Sequence, residues 1–355
     1  MKKHYNIPVF ITHSGCKNDC VFCNQKIITG QSESSGESET RAVIEKFIST
    51  HNKNNRTGDD SDDYACTEIA FFGGSFTGLE KSVMIKFLET ANEYISENKI
   101  IKGIRISTRP DYISGEILDI LLKYNVKSIE LGIQSMFDDV LSACRRGHTV
   151  QDSERACKII KSAGVNLNLT GQMMLGLPCS NRGKDIATAE KLADIGVDCA
   201  RVYPAAVLAG TRLFDMYKSG EYVPLSLDEA VFRAKEIKKI FDLNKIKILR
   251  MGLCSSDIGK GRNGSTVIAA GPYHPAFGEL VESEIIYDRL AEEIQEMCSN
   301  GYQPPHTDTR DTRDTESIII RVDKKDMSKT IGHKRKNIER LKKRFPDKNI
   351  IIAES

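Results

Sequence analysis

Cys16, Cys20 and Cys23 lie close together in the run Cys16-Lys-Asn-Asp-Cys20-Val-Phe-Cys23, a C-x3-C-x2-C spacing. A loop this compact can wrap three thiolates round one iron–sulfur cube. A four-iron cluster ordinarily takes four thiolates; with three, one iron keeps a position open. The amino and carboxylate groups of S-adenosylmethionine (SAM) can chelate that iron. An electron then enters the sulfonium, a C–S bond breaks and a 5′-deoxyadenosyl radical leaves, while the protein binds, orients and shields. The competing readings are a zinc site and a chance cluster. Zinc usually takes four ligands, commonly as two close pairs, and no second Cys/His pair at finger spacing follows. Phe22 suits an apolar wall beside the cluster.

Such a loop needs elements to hold it. Apolar, β-branched runs at Val9–Thr12, Glu68–Phe72, Ile101–Ser107, Ser128–Ile133, Asn166–Leu175, Cys199–Tyr203 and Lys245–Met251 read as strands. Amphipathic stretches at Glu80–Ile95, Ser114–Tyr124, Gln151–Ala163 and Leu227–Phe241 read as helices between them. This alternation predicts an α/β fold, a parallel sheet covered by helices. Six or more such units predict a full or partial (β/α) barrel with its chemistry at the carboxyl ends of the strands. The cysteines follow the first strand candidate, as that geometry asks. Gly30–Glu39 and His51–Asp63 read as surface loops, and Ser283–Cys298 as a terminal helix. Gln303–Glu316, with its prolines and repeated Asp-Thr-Arg, reads as a linker. A strand (Ile318–Val322), a helical stretch (Met327–Arg344) and a strand (Asn349–Ile352) follow.

Composition sets the outer limits. The chain has 355 residues, 40% of them hydrophobic and 28% charged, ordinary for a globular protein. No window approaches the roughly 18 apolar residues of a membrane span, and MKKHYNIPVF reads as a strand rather than a signal peptide. Ten cysteines in so long a chain without a secretion signal favour a reducing, cytoplasmic setting over a disulfide framework. The net charge of +2 hides an asymmetry: residues 317–355 carry 12 Lys/Arg against 5 Asp/Glu, and residues 1–316 carry 39 against 44. A basic tail suggests a polyanionic partner.

Further motifs sharpen this outline. Phe71-Phe72-Gly73-Gly74-Ser75-Phe76-Thr77 after the cysteines resembles the radical SAM pattern. Ser107-Thr108-Arg109-Pro110-Asp111-Tyr112, Glu130-Leu131-Gly132-Ile133-Gln134-Ser135, Arg145-Arg146-Gly147-His148-Thr149, Met173-Met174-Leu175-Gly176-Leu177-Pro178 and Arg201-Val202-Tyr203-Pro204 resemble, in order, the radical SAM domain of the Elongator catalytic subunits. Gly210-Thr211-Arg212-Leu213 and Tyr217-Lys218-Ser219-Gly220 continue the match, which runs over roughly residues 8–255. Oxygen-independent coproporphyrinogen oxidases are more distantly similar. The resemblance implies a [4Fe–4S] cluster on Cys16, Cys20 and Cys23, SAM, and an electron donor of the flavodoxin or ferredoxin kind. It implies SAM contacts from Gly73, Gly74, Ser75, Gln134 and Arg146. The two glycines would admit close backbone approach, and the arginine a bidentate grip on a carboxylate. Ser107 and Gln172 occupy two further polar positions, although the family pattern has acidic residues, or His, there. Without the resemblance, these residues read as an ordinary turn, strand ends and a surface arginine. Tyr203 and Pro204 either face a substrate or pack at the barrel rim. His148 is either a proton donor or structural. Cys179 and Cys254 are either substrate-facing thiols or ligands of a second cluster that no CxxC pair supports.

The chain also departs from that family. Elongator subunits carry an acetyltransferase domain after the radical SAM domain, and the residues after 255 show no acetyl-CoA-type glycine loop; such a partner would act in trans. The basic N-terminal extension expected for tRNA capture is likewise not seen ahead of the cysteines. Gly271–Val281 reads as a loop closing over the site, or as a crossing to the terminal helix. In the tail, Ile331-Gly332-His333-Lys334-Arg335-Lys336-Asn337-Ile338-Glu339-Arg340-Leu341 resembles the I-G-x-x-G-x-x-I-x-x-L core of a KH domain, which clamps nucleic-acid backbone. Arg335 stands where the second glycine belongs, so Lys334, Arg335 and Lys336 are the candidate RNA contacts; the plainer reading is a solvated basic helix. The organisation expected is a radical SAM barrel (1–255), an extension of it (256–302), a polar linker (303–316) and a small α+β, KH-like appendage (317–355). The function expected is SAM cleavage for tRNA or other RNA base modification, away from any membrane. A small-metabolite (tetrapyrrole-like) substrate and a non-enzymatic RNA-binding iron–sulfur protein are the alternatives.

Overall fold

The computed structural model describes residues 4–11, 14–24, 35–55, 66–164, 167–253, 267–300, 307–312 and 315–355. Seven strands form one all-parallel sheet: β1 (His4–Phe10), β2 (Cys66–Phe72), β3 (Ile101–Thr108), β4 (Val126–Gln134), β5 (Asn168–Leu175), β6 (Cys199–Pro204) and, after a short β7 (Val207–Leu208), β8 (Lys247–Met251). The spatial order β1-β2-β3-β4-β5-β6-β8 follows the chain, and β1 and β8 are its two edges. The barrel is thus a partial one. Two-residue β7 pairs with β9 (Ile268–Ala270).

Alternation along each strand separates the two faces of the sheet. One set, including Ile7, Val9, Ile69, Phe71, Ile104, Ile106, Ile129, Leu131, Leu169 and Met173, is buried in the main core with the covering helices. The other set faces the concave side and is unusually polar: Glu68, Arg105, Glu130, Gln134, Gln172 and Arg201. Local chemistry fixes the helices. Ser114 accepts from Ile117 N to start Gly115–Lys123, and Thr149 and Asp152 cap Val150–Ser162 reciprocally. Gly196, in the left-handed region, ends Arg182–Ile195.

Four sequence expectations change. A helix, Glu37–Asn55, overlaps the ends of both stretches read as loops; its composition is polar, but Thr40 and Ile44 are fully buried. Within the expected linker, residues 307–312 form β10 (Thr307–Thr312), antiparallel to β11 (Thr315–Val322). Three threonines in Thr-Asp-Thr-Arg-Asp-Thr supply β-branched character that Pro and charge had masked. The stretch Met327–Arg344 breaks into Met327–Ile331 and Lys336–Arg344 around Gly332 (φ 79°). Finally, the segment read as a closing loop becomes helical at Phe277, where Phe277 and Val281 join the main core.

That last helix, Phe277–Asn300, belongs to two cores. Tyr287, Leu290, Ala291 and Ile294 pack with Ile318, Ile320, Leu341, Phe345 and Ile350 in a second cluster. There β11 pairs in parallel with β12 (Lys348–Glu354). Asn337, 2% exposed, donates Nδ2 to Ser283 O at 3.0 Å and lies within bonding reach of Ser283 Oγ, Lys329 O and Thr330 O. Lys329–Glu282 and Lys336–Asp228 ion pairs, each 2.7 Å, lie at the same junction. No helix among the described residues is long and apolar enough to cross a membrane.

Candidate functional site

A cavity of about 630 Å³ opens among the carboxyl ends of the strands. Cys16, Cys20 and Cys23 line it, as do Gly73, Gly74, Ser75, Ser107, Gln134, Arg146 and Gln172. The structure therefore brings every residue expected at the cluster and SAM sites to one wall system. Lys334, Arg335 and Lys336 are exposed and belong to the appendage.

The cysteine loop is held by its backbone. Ile11 N donates to Phe72 O (2.8 Å), Ser75 N to Ser14 O (3.0 Å), Val21 N to Cys144 O (3.1 Å) and Leu213 N to Val21 O (2.7 Å). Cys23 N donates to Cys20 O at 3.0 Å. Gly74 is required by this packing: a Cβ there would sit 2.4 Å from Ile11 O and 2.5 Å from Ser14 O. Gly73 adopts φ 86°, which suits glycine. Cys16 Sγ lies 3.2 Å from Ser75 Oγ, and Arg146 Nη1 donates to Cys20 Sγ at 3.2 Å. Among the described residues no three His, Cys, Asp or Glu side chains are gathered closely enough to hold a single metal ion. The expected convergence is a shared cavity wall rather than one coordination sphere; a four-iron cube is larger than an ion and takes ligands standing further apart.

Beside the cysteines lie buried groups with unmet hydrogen bonds. Gln134, 4% exposed, holds φ 68° at the end of β4, where the register slips. A non-glycine residue there is strained, and such strain concentrates at functional positions. Its Oε1 has no hydrogen-bond partner, and neither does Arg146 Nε. Arg146 also donates Nη2 to Gly132 O. Arg109, 3% exposed, grips Asp111 through two 3.0 Å bonds.

The remaining candidates divide. Tyr203 and Pro204 line the cavity. His148 does not; it is 4% exposed, and burial, helped by Arg146 and Arg109, lowers its pKa to about 3, so it stands neutral behind the wall. Cys179 is exposed with φ 62° and is not among the lining residues. Cys254 lies outside the described residues. Nothing from Gly271–Val281 lines the cavity; His274 instead meets His333 edge-on, ring centroids 5.1 Å apart.

Sequence reasoning missed the charged interior. Arg105 bonds Glu68 and Glu130, each at 2.9 Å, and Arg201 Nη2 reaches the same Glu130 Oε1 at 2.9 Å. Glu68, Arg105 and Glu130 are at most 5% exposed. The signal was the period of two: Arg105-x-Ser107, Ser128-x-Glu130-x-Gly132-x-Gln134 and Arg201-x-Tyr203 place polar groups at alternate positions of otherwise apolar strands.

Comparison with known proteins agrees with this geometry. The radical SAM superfamily profile matches residues 10–192, and a radical SAM C-terminal domain profile matches residues 197–287. The chain belongs to the radical SAM superfamily. The tRNA uridine(34) acetyltransferase of Methanocaldococcus infernus is 29% identical over 233 residues, covering 60% of this chain and 42% of that protein. Elongator complex protein 3 of Saccharomyces cerevisiae is 30% identical over 183 residues, 46% of this chain and 32% of that protein. The chain thus spans less than half the length of these relatives. In structure, an archaeal Elp3 from Methanocaldococcus infernus, with its N-terminus deleted, matches with a TM-score of 0.63 at 20% identity, over 99% of this chain and 94% of that one.

Radical SAM enzymes use a [4Fe–4S] cluster and SAM. The residues present fit that pair: three thiols on one wall, and beside them a buried amide oxygen and a guanidinium nitrogen without partners. The appendage has its own geometry. Lys334 (φ 52°) and Arg335 (φ 63°) both take left-handed backbone, so the turn keeps a glycine-like path although Arg335 is no glycine. Its exposed face carries His333, Lys334, Arg335 and Lys336.

Proposed function

We propose that this chain cleaves SAM reductively and uses the product radical to modify a tRNA base. The observation that carries the proposal is the single cavity joining Cys16, Cys20 and Cys23 to the unsatisfied Gln134 and Arg146. When bound, the cluster supplies the electron that splits the sulfonium and releases a 5′-deoxyadenosyl radical. The three cysteines hold it. Gly73, Gly74 and Ser75 give a close-approach edge for the methionyl end of SAM. Ser107, Gln134, Arg146 and Gln172 supply polar contacts, and Arg146, already on Cys20 and Gly132, orients a carboxylate beside the cysteine loop. Phe22, Phe72 and Met174 line the cavity with apolar surface that limits water. A flavodoxin- or ferredoxin-like donor provides the electron, and the setting is the cytoplasm.

The tRNA part of the reading rests on similarity to proteins named for tRNA uridine(34) acetylation and on the basic appendage. In it, residues 1–255 carry the chemistry and residues 317–355 the RNA, with Lys334, Arg335 and Lys336 on phosphates; where the modification is acetyl-derived, an acetyltransferase acts in trans. The test is anaerobic. The reconstituted, reduced protein is expected to make 5′-deoxyadenosine from SAM, and Cys16→Ala, Cys20→Ala and Cys23→Ala to abolish it. No product from a fully loaded, reduced protein, with bulk tRNA present, refutes the enzymatic reading and leaves an RNA-binding iron–sulfur protein. Replacing Lys334, Arg335 and Lys336 with Glu is expected to weaken tRNA binding and to flatten its salt dependence, by about 0.7–0.9 in log–log slope per lost phosphate contact. Unchanged binding, with product still formed, points instead to a small-metabolite substrate.

A further inference from the structure

Arg146 has a second contact that its role toward SAM does not use. Its backbone is pinned on both sides. Arg145 (φ 52°) and Gly147 (φ 69°) take left-handed backbone, and Arg146 N donates to Leu141 O at 2.9 Å. A Cβ at Gly147 would lie 2.5 Å from the Asn18 side-chain amide, so this turn seats directly on the cysteine loop between Cys16 and Cys20. Arg146 is 6% exposed. Its Nη2 donates to Gly132 O, and its Nη1 donates to Cys20 Sγ at 3.2 Å. A Cβ at Gly132 would lie 3.2 Å from Nη2, so the bare strand position leaves the guanidinium its place.

Among the described residues no carboxylate pairs with this guanidinium; its bonds go to Cys20 and Gly132. Arg109, next along the wall, is matched by Asp111 through two 3.0 Å bonds. Of the carboxylates lining the cavity, Glu130 is held by Arg105 and Arg201, and Asp19 is exposed to solvent. His148, two residues on, stands neutral. The group against Arg146 that can carry negative charge is therefore Cys20, a thiolate once it ligates metal. A buried charge without an opposite charge is costly, and a guanidinium does not shed its proton. Little water screens the pair there. Cys16 differs, since its neighbour at 3.2 Å is the neutral hydroxyl of Ser75.

We propose that Arg146 is the counter-ion of the Cys20 thiolate and raises the reduction potential of the cluster that Cys16, Cys20 and Cys23 hold. Reduction adds one electron, taken from an external donor, to the cluster and its thiolates; no proton moves and no bond forms or breaks. A fixed positive charge hydrogen-bonded to a ligand sulfur favours that added negative charge. Net charge and hydrogen bonds to sulfur are two of the levers that set such potentials. Arg146 acts on the cluster through Cys20, so toward the cluster it is a positioning residue. The inference rests on the cysteine loop as the cluster site, goes beyond the SAM contact given to Arg146 above, and does not depend on which RNA is modified.

The test is an anaerobic redox titration of the full chain, reconstituted with iron and sulfide and free of SAM. Dithionite is the reductant, and the paramagnetic resonance of the reduced cluster is the readout. Arg146→Gln keeps an amide donor and loses the charge. Its midpoint is expected to be more negative by about 59 mV, a tenfold loss of preference for the reduced form and the size of one hydrogen bond to a charged group. Arg146→Lys keeps the charge and is expected to fall between parent and Arg146→Gln. Ser75→Ala removes a neutral donor and is expected to move the midpoint less than Arg146→Gln does, since charge-assisted bonds are about twice as strong. An unchanged midpoint in folded, cluster-loaded Arg146→Gln overturns the inference. So does Arg146→Lys moving as far as Arg146→Gln, because charge is then not the cause. Should Arg146→Gln fail to fold or to load, the parent labelled with heavy-nitrogen arginine decides. Pulsed resonance is expected to show coupling between the reduced cluster and an arginine nitrogen, lost in Arg146→Lys; no coupling, or coupling that persists in Arg146→Lys, overturns the inference. A parent that assembles no cluster, by iron and sulfide analysis, refutes the cysteine-loop reading itself. A loaded cluster with an unmoved midpoint refutes the tuning alone.

Discussion

Replacing Gly74 with alanine tests the link between the glycine pair and the cysteine loop. The added methyl would lie 2.4 Å from Ile11 O and 2.5 Å from Ser14 O. Both are backbone atoms of the segment leading into Cys16, so no flexible side-chain tip can yield. Each gap has to open by roughly 1 Å to reach ordinary contact distance. Overpacking of this kind costs about 1–3 kcal/mol, and two backbone neighbours put Gly74→Ala at the upper end. With an unfolding entropy near 2.1 cal/mol/K per residue, a loss of about 3 kcal/mol lowers Tm by roughly 4 °C. The protein stays folded, since domains carry about 5–15 kcal/mol. What moves is the Ser14–Ser75 bond, and with it Cys16 against Ser75. Calorimetry should find the lowered Tm, and iron and sulfide analysis after reconstitution should find fewer clusters per chain. A variant with parental Tm and full cluster content refutes the reasoning, because the steric distances then do not govern the loop.

Gly115 is the matched control: a Cβ there meets nothing within 4 Å, so Gly115→Ala should leave cluster content unchanged and raise stability by up to about 1 kcal/mol by helix propensity. The His148 pKa, lowered to about 3 by burial and the neighbouring arginines, makes stability pH-dependent. The folded value being depressed, its contribution is complete above about pH 6.5 and is lost as pH falls toward 3, reaching about 2 kcal/mol at pH 5. Urea titrations near neutrality and near pH 5 should find this loss in the parent and a smaller one in His148→Gln; identical losses would exclude His148 as the source. Asn337→Ala strips the donor from a buried junction and should cost about 2–4 kcal/mol, seen as faster hydrogen exchange across residues 317–355 with the barrel strands unaffected.

The strands of the barrel were legible because burial on the outer face leaves an apolar, β-branched imprint, as in Ile101–Thr108. The shared cavity wall of Cys16, Cys20 and Cys23 was legible as a candidate cluster site because a three-thiol loop has few other uses. Polarity concealed the helix Glu37–Asn55: among Ser, Glu, Lys and Asn, the fully buried Thr40 and Ile44 make a faint stripe. Charge concealed β10, where Thr pairs with an isoleucine-rich strand. The arginines and glutamates of the concave face were visible only as alternation, and their pairing joins residues as distant as Glu130 and Arg201, which no local pattern encodes. The left-handed backbone at Arg335 is also a tertiary outcome; the sequence argues against it, and the packing of Gly332 on Asn337 enforces the turn.

The bonds anchoring the cysteine loop join backbone to backbone, from Ile11 to Phe72, Ser75 to Ser14, Val21 to Cys144 and Leu213 to Val21. None of them uses a thiol. Chain order at this loop is therefore set by the fold itself, unlike small zinc domains whose folding is metal binding. With Cys16, Cys20 and Cys23 as the cluster ligands, the backbone bonds would keep the emptied loop a shaped receptacle rather than an unfolded chain. Loss of the cluster would then be a lapse in occupancy that refilling repairs, without refolding of the chain.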